Sequence, residues 1–193
     1  MEAFQKFIAY LPALLEGSFL TISLTALSVS IGFILSIFLA LGNISRLKLI
    51  SYPCGFYIWF FRGTPLMMQL FFIYYALPLI NPMFNISNKF VAALIAFSLN
   101  SGAYMAEIVR AAIQSIDKGQ LEASRALGMT YGQAMRRIII PQSYRRLIPP
   151  ISNEFIMVLK DTALVSAIAL TDLMRTTNLI QTKTGSAVVY IPA

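Results

Sequence analysis

Five polar residues of this chain sit in largely apolar surroundings: Asn100, Glu154, Lys160, Asp161 and Thr162. An ionisable group inside a bilayer costs on the order of 3 kcal/mol on insertion scales, so Glu154, Lys160 and Asp161 need a reason to be there. One reason is recognition of a zwitterion. The acids would meet an ammonium or a side-chain cation, Lys160 would meet a carboxylate, and Asn100 and Thr162 would add neutral hydrogen bonds. The other reason is structural: Lys160 pairs with Glu154 or Asp161 to hold a broken helix, or these groups face headgroups. Helical spacing weakens the pairings, since positions 154 and 160 do not share a face and the adjacent positions 160 and 161 diverge.

Other chemistry has little support. The chain has no histidine and a single cysteine, Cys54, which removes the commonest general base, the commonest metal ligand and any internal disulfide. Glu154 and Asp161 could be read as an acid pair, but no nucleophile stands beside a recognisable base. No Gly-x-x-x-x-Gly-Lys-Ser/Thr loop occurs, so this chain is expected to bind no cofactor, and ATP would have to sit on a partner. Glu107 and Arg110, three positions apart, read as an ion pair on one helical face, and Arg62 as an interface anchor. Phe71, Phe72, Tyr74 and Tyr75 read as a membrane belt or helix packing.

The elements that must position these residues are membrane helices. Of 193 residues, 58% are apolar and 12% charged, about half the charge of an ordinary soluble domain. Residues 17–45, 63–88 and 90–106 carry no charge, and about 20 apolar residues suffice to cross a bilayer. The expected spans are 18–42, 63–80, 89–112 and 149–170, in a single all-α membrane domain over 1–193. The fourth is too polar to be recognised by hydropathy alone. Thr64 and Pro65 read as the cap and first turn of the second span. Small residues Gly32, Ser36, Ala40 and Gly42 offer close helix approach in the first. Residues 1–15, with Phe4, Phe7, Ile8 and Leu11 at helical spacing, suit an interfacial helix or the first turns of a tilted span. The two acids against one lysine in 1–16 do not resemble a cleavable signal.

The net charge of +7 is distributed between apolar spans rather than gathered beside stacking aromatics, which favours positive-inside topology over nucleic-acid binding. The short loop with Arg46, Lys48 and Arg62 and the long basic loop 113–141 are therefore expected on the cytoplasmic side. The N-terminus, the turn at 81–87 and the segment 171–183 are then outside.

The basic loop contains Glu122-Ala123-Ser124, then Gly128, then Ile138-Ile139-Ile140-Pro141. This spacing resembles the EAA signature of ABC importer permeases, with Ser124 for an alanine and Ile140 for a leucine. A helix over 120–127 would offer Ala123 and Ser124 as a small face to a groove, and Gly128 would let the chain turn. Further blocks resemble the polar amino-acid permeases of that class: Phe61-Arg62-Gly63-Thr64-Pro65-Leu66 with Gln69-Leu70, Asn100-Ser101-Gly102-Ala103-Tyr104 with Ala106-Glu107, Asn153-Glu154-Phe155, and Leu159-Lys160-Asp161-Thr162.

The resemblance implies a type I importer fold of five spans in the inner membrane. It also implies two ABC ATPase subunits, an extracytoplasmic solute-binding protein, and a second permease, either another copy or a homologue. Glu122, Ala123, Ser124 and Gly128 would couple to the ATPase, and the substrate would be a cationic or neutral polar amino acid. About four of the five spans are expected here, because the family pattern continues beyond Ile191-Pro192-Ala193. The rival expectation is a channel or structural subunit, without ATP coupling, whose basic loop binds anionic lipid.

Overall fold

The computed structural model describes residues 2–185, with no strand among them. Helix α1, Glu2–Ile44, is followed by α2, Lys48–Gly63. Helix α3, Leu66–Ile80, includes a π turn at Phe72–Ala76, and a short 3-10 turn Pro82–Phe84 leads to α4, Lys89–Gln114. Then come α5, Lys118–Ala126, the single turn α6, Tyr131–Ala134, a π turn Met135–Ile139, and α7, Ile140–Asp161. A 3-10 helix, Thr162–Ile168, connects to α8, Leu173–Thr184. The side chains of Phe4 and Phe7, and residues 191–193, lie outside the description.

Ile8–Ile44 and Lys89–Gln114 are each long and apolar enough to cross a membrane, whereas α2 and α3 reach that length and apolarity only together, as a broken span or a re-entrant loop. The apolar stretch from 63 was expected to open the second span, but the aromatic residues before it are already helical. The break falls at Thr64–Pro65. Thr64 is extended (φ −115°, ψ 142°), and its hydroxyl donates to Phe60 O at 2.9 Å, so it finishes α2 instead of capping α3. Pro65 forces this choice, because its ring disfavours helical backbone at the residue before it.

The helix that carries Glu154 begins at Ile140, well before the expected 149. Pro149 and Pro150 lie inside it. Hydropathy detects only the apolar half of such a helix, and the half with exposed Tyr144, Arg145 and Arg146 escapes it. At the other end, α-helix gives way at Thr162 to 3-10 geometry for seven residues.

The chain divides into two compact units. One comprises 31–64 and 99–156. Its core gathers Leu39, Ala40, Ile58, Ala106 and Val109, flanked by Leu35, Cys54 and Tyr57. Lipid tails are as apolar as leucine, so close fit holds these helices together more than exclusion of water does. A Cβ on Gly42 would come within 2.5 Å of Cys54 Sγ, and one on Gly102 within 2.9 Å of Leu35 Cδ2. Ser36 and Ala40 are fully buried, in keeping with their small size.

The other unit comprises 2–30, 65–98 and 157–185. Leu14 packs with Ile180, Tyr10 and Leu173. A Cβ on Gly17 would meet Thr176 Oγ1 at 2.9 Å and Leu173 Cα at 3.0 Å, so α1 and α8 meet nearly backbone to backbone. The exposed Ser30 hydroxyl of α1 returns to the helix, donating to Ala26 O at 2.7 Å, which leaves little polarity towards lipid. Two long basic side chains cap the 3-10 segment: Lys89 Nζ donates to Ala169 O and Arg175 to Ser166 O, each at 3.2 Å.

Candidate functional site

Helix α5 is built to stand as a defined protrusion. Asp117 caps its start, accepting from Gly119 N at 2.6 Å. Its end is a Schellman turn: Met129 N donates to Ser124 O at 3.1 Å and Gly128 N to Arg125 O at 2.9 Å. Gly128 adopts φ +79°, the left-handed region that an added Cβ would penalise. The chain restarts at once through a capping box between Thr130 and Gln133. Gln142 Nε2 to Gln120 Oε1, at 3.2 Å, and Arg146 to Ser115 O, at 2.5 Å, tie α7 to α5 and to the turn before it.

Glu122 and Ala123 are exposed, but Ser124 is only 4% exposed and donates its hydroxyl to Gln120 O at 2.6 Å. The expected small outward face of Ala123 with Ser124 is therefore corrected. Successive helix positions turn by about 100°, so Ser124 can face inward while Ala123 before it faces out. What α5 presents instead is Glu122, Ala123, Arg125 and, at its end, Leu127, which is 80% exposed. Leu127 was missed because a single leucine in a polar loop carries no periodic signal.

Of the expected pathway residues, Lys160 and Thr162 line one cavity of about 430 Å³ in the unit comprising 2–30, 65–98 and 157–185. Ser18 and Thr21 of α1 and Asp172 also face it. Thr162 is 1% exposed and bonds back to Leu159 O at 2.7 Å, whereas Lys160 is exposed. Asp161 is half-buried and is not among the lining residues. The cavity thus offers one cation, one carboxylate and several hydroxyls within the size range of small-ligand sites, about 300–1,000 Å³.

Asp172 was not among the candidates. It caps α8, accepting from Arg175 N at 3.0 Å and Met174 N at 3.3 Å, and is 1% exposed. Burial pushes its carboxyl above the ordinary value, partly offset by those N–H bonds. An aspartate preceding Leu173 and a basic last turn is a legible helix start.

Asn100 and Glu154 belong to the other unit. Glu154 is 6% exposed. Asn100 Nδ2 donates to Phe61 O at 3.2 Å, and on the same pair of helices Tyr57 Oη donates to Leu99 O at 2.9 Å. Arg62 lies over the Tyr104 ring at 5.3 Å, and Glu107 pairs with Arg110 as their spacing implied.

The family described as "binding-protein-dependent transport system inner membrane component" matches residues 10–193. The chain belongs to that family. It is a membrane-embedded permease subunit of an ABC transporter.

Among relatives of this permease, the L-cystine transport system permease protein TcyB of Bacillus subtilis (strain 168) is 44% identical over 168 residues, 86% of this chain and 70% of that one. The arginine transport system permease protein ArtQ of the same organism is 44% identical over 172 residues, 89% and 78% of the two chains. A crystal structure of an amino acid ABC transporter with histidines superimposes with a TM-score of 0.90 at 43% identity, over 98% of this chain and 87% of that one. The MetNI methionine ABC transporter in an inward-facing conformation shares the fold at a TM-score of 0.76 and 20% identity, over 94% and 87%. The permease thus has the fold of ABC importer permeases.

Proposed function

We infer that this permease forms the translocation pathway of an ATP-driven importer for a polar amino acid, cationic or neutral. The observation that carries the reading is α5, a short helix fixed at both ends by capping and left exposed along Glu122, Ala123 and Leu127. A helix so braced transmits displacement as a unit. When paired ATPase subunits close on ATP, movement of α5 passes through the Gln120–Gln142 and Ser115–Arg146 bonds to α7, which carries Glu154, Lys160 and Asp161.

Alternating access follows: ATPase closure favours a pathway open to an extracytoplasmic solute-binding protein, and release favours one open inward. Asn100, Glu154, Lys160, Asp161 and Thr162 are the pathway residues of this proposal. Lys160 and Asp172, which line one cavity, give the two signs that an amino-acid zwitterion requires. Two permeases, identical or homologous, complete the pathway by two-fold symmetry. The basic loops lie on the cytoplasmic side of the inner membrane and the N-terminus outside. The relatives' names, cystine and arginine permeases, support a polar amino-acid substrate.

Gentle purification of the tagged permease from its native membrane tests the assembly. Recovery of an ATP-hydrolysing subunit in near-equal amount is expected. A pure and stable permease emerging alone would instead support the channel or structural reading.

A further inference from the structure

A second concave site lies in the unit comprising 31–64 and 99–156 and shares no lining residue with the cavity around Lys160. The groove is about 520 Å³ and brings Arg46, from the turn after α1, together with Arg125 of α5. Ser45 and Tyr131 stand beside them, and the aliphatic side chains of Leu41, Ile44 and Ile140 line the rest. No carboxylate lines it. Among the described residues, neither Arg46 nor Arg125 takes part in an ion pair. Gly132 also lines the groove, and a Cβ there would meet nothing within 4 Å.

Guanidinium, phenol and serine hydroxyl are all hydrogen-bond donors, and this donor set matches a phosphodiester. A free inorganic anion would satisfy the arginines but leave the aliphatic wall against water. The groove begins where the charge-free stretch 17–45 ends, so its apolar wall continues the exposed apolar side chains Ile34, Phe38 and Leu41 of α1. We propose that this groove binds one anionic phospholipid, its phosphodiester held by Arg46 and Arg125 and its glycerol and upper acyl chain against Leu41, Ile44 and Ile140. The site depends on the membrane embedding of the permease and not on its substrate.

An acidic surface of a partner protein is the competing occupant. Leu41 and Ile44 argue against it, because they prolong a membrane helix instead of facing the aqueous side.

The test is native mass spectrometry of the intact complex in mild detergent, titrated with phosphatidylglycerol or phosphatidylcholine. Wild type is expected to retain phosphatidylglycerol in preference. The R46Q and R125Q variants should each retain it about fivefold less, the effect of about 1 kcal/mol for one basic residue near an anionic surface. Phosphatidylcholine retention should not change, and R46K should keep most of the preference. A measurement on wild type alone guards against misfolded variants: millimolar inorganic phosphate or deacylated glycerophosphoglycerol should fail to displace the bound lipid. Equal retention of the two lipids, retention unaffected by R46Q and R125Q, or displacement by the free anions overturns the proposal. Loss of ATPase subunits from R46Q with lipid retention intact overturns it in favour of a protein contact.

Discussion

Asn100 Nδ2 donates to the carbonyl of Phe61 at 3.2 Å, and Phe61 O is the carbonyl that Pro65, four residues on, cannot serve. In an unbroken helix the N–H of residue 65 would bond there, but proline has none. With Thr64 Oγ1 on Phe60 O, two of the carbonyls at the interrupted end of α2 have side-chain donors. Asn100 thereby gains a structural role beside the pathway role proposed for it.

Replacing Asn100 with Leu separates the roles. Losing one hydrogen bond to the partly buried Phe61 carbonyl costs about 1 kcal/mol, so the purified complex should melt a few degrees lower. If Asn100 serves Phe61 alone, KM for the transported amino acid stays unchanged once stability is corrected for. A raised KM with unaltered melting would assign it to the substrate instead.

Gly128 predicts a graded series. Its φ of +79° with open space around it means that a substitution suffers from backbone strain and not from a clash. Asn should be tolerated best and Ala should cost about 1 kcal/mol, with Val worse because of its branched Cβ. ATP-dependent uptake and the tightness of its coupling to hydrolysis, measured on assembled complexes, should fall in that order. Equal coupling across Asn, Ala and Val would remove the turn from the account.

Much of this was legible beforehand. The three charge-free stretches mark helices because length and apolarity suffice, and the Glu122 to Pro141 spacing marks α5. Thr64–Pro65 was read as the start of a span and is instead a break between two helices, with Thr64 finishing the first, because a Thr-Pro pair can end a helix or begin one. The cavity around Lys160 was only half visible. Its other wall comes from Ser18 and Thr21, more than a hundred positions away, and Asp172 lay in a segment read merely as an external connection. No local pattern reports such proximity.

Asp172 gives a pH dependence whose sign is fixed. Its folded carboxyl titrates above the unfolded value of about 4, so its contribution to stability is fully present below that pH. It is lost as pH rises through the raised native value. The D172N variant, which keeps an acceptor oxygen for the N-cap, should flatten that part of the melting-temperature profile. D172A should in addition lose about 1 kcal/mol from the missing cap. A parallel profile for wild type and D172N would contradict the burial argument.

Ala169 is the one non-glycine residue at positive φ among the described residues, at 58°. An L-residue there costs roughly 1–2 kcal/mol, so A169G should stabilise the complex slightly after the flexibility of glycine is set against it. Differential scanning fluorimetry reads the shift. A clear fall in melting temperature would mean that the alanine methyl contributes more by packing than the backbone loses by strain.

The central claim is that this permease moves an amino acid only when ATPase subunits drive α5. Uptake of a labelled amino acid into proteoliposomes containing the assembled complex and its solute-binding protein tests it directly, comparing wild type with G128D. Wild type should take up substrate only with ATP at the ATPase face, and G128D should hydrolyse ATP without uptake or fail to assemble while still inserting into the membrane. Normal ATP-driven uptake by G128D, or uptake by the permease alone without ATP, would contradict the account.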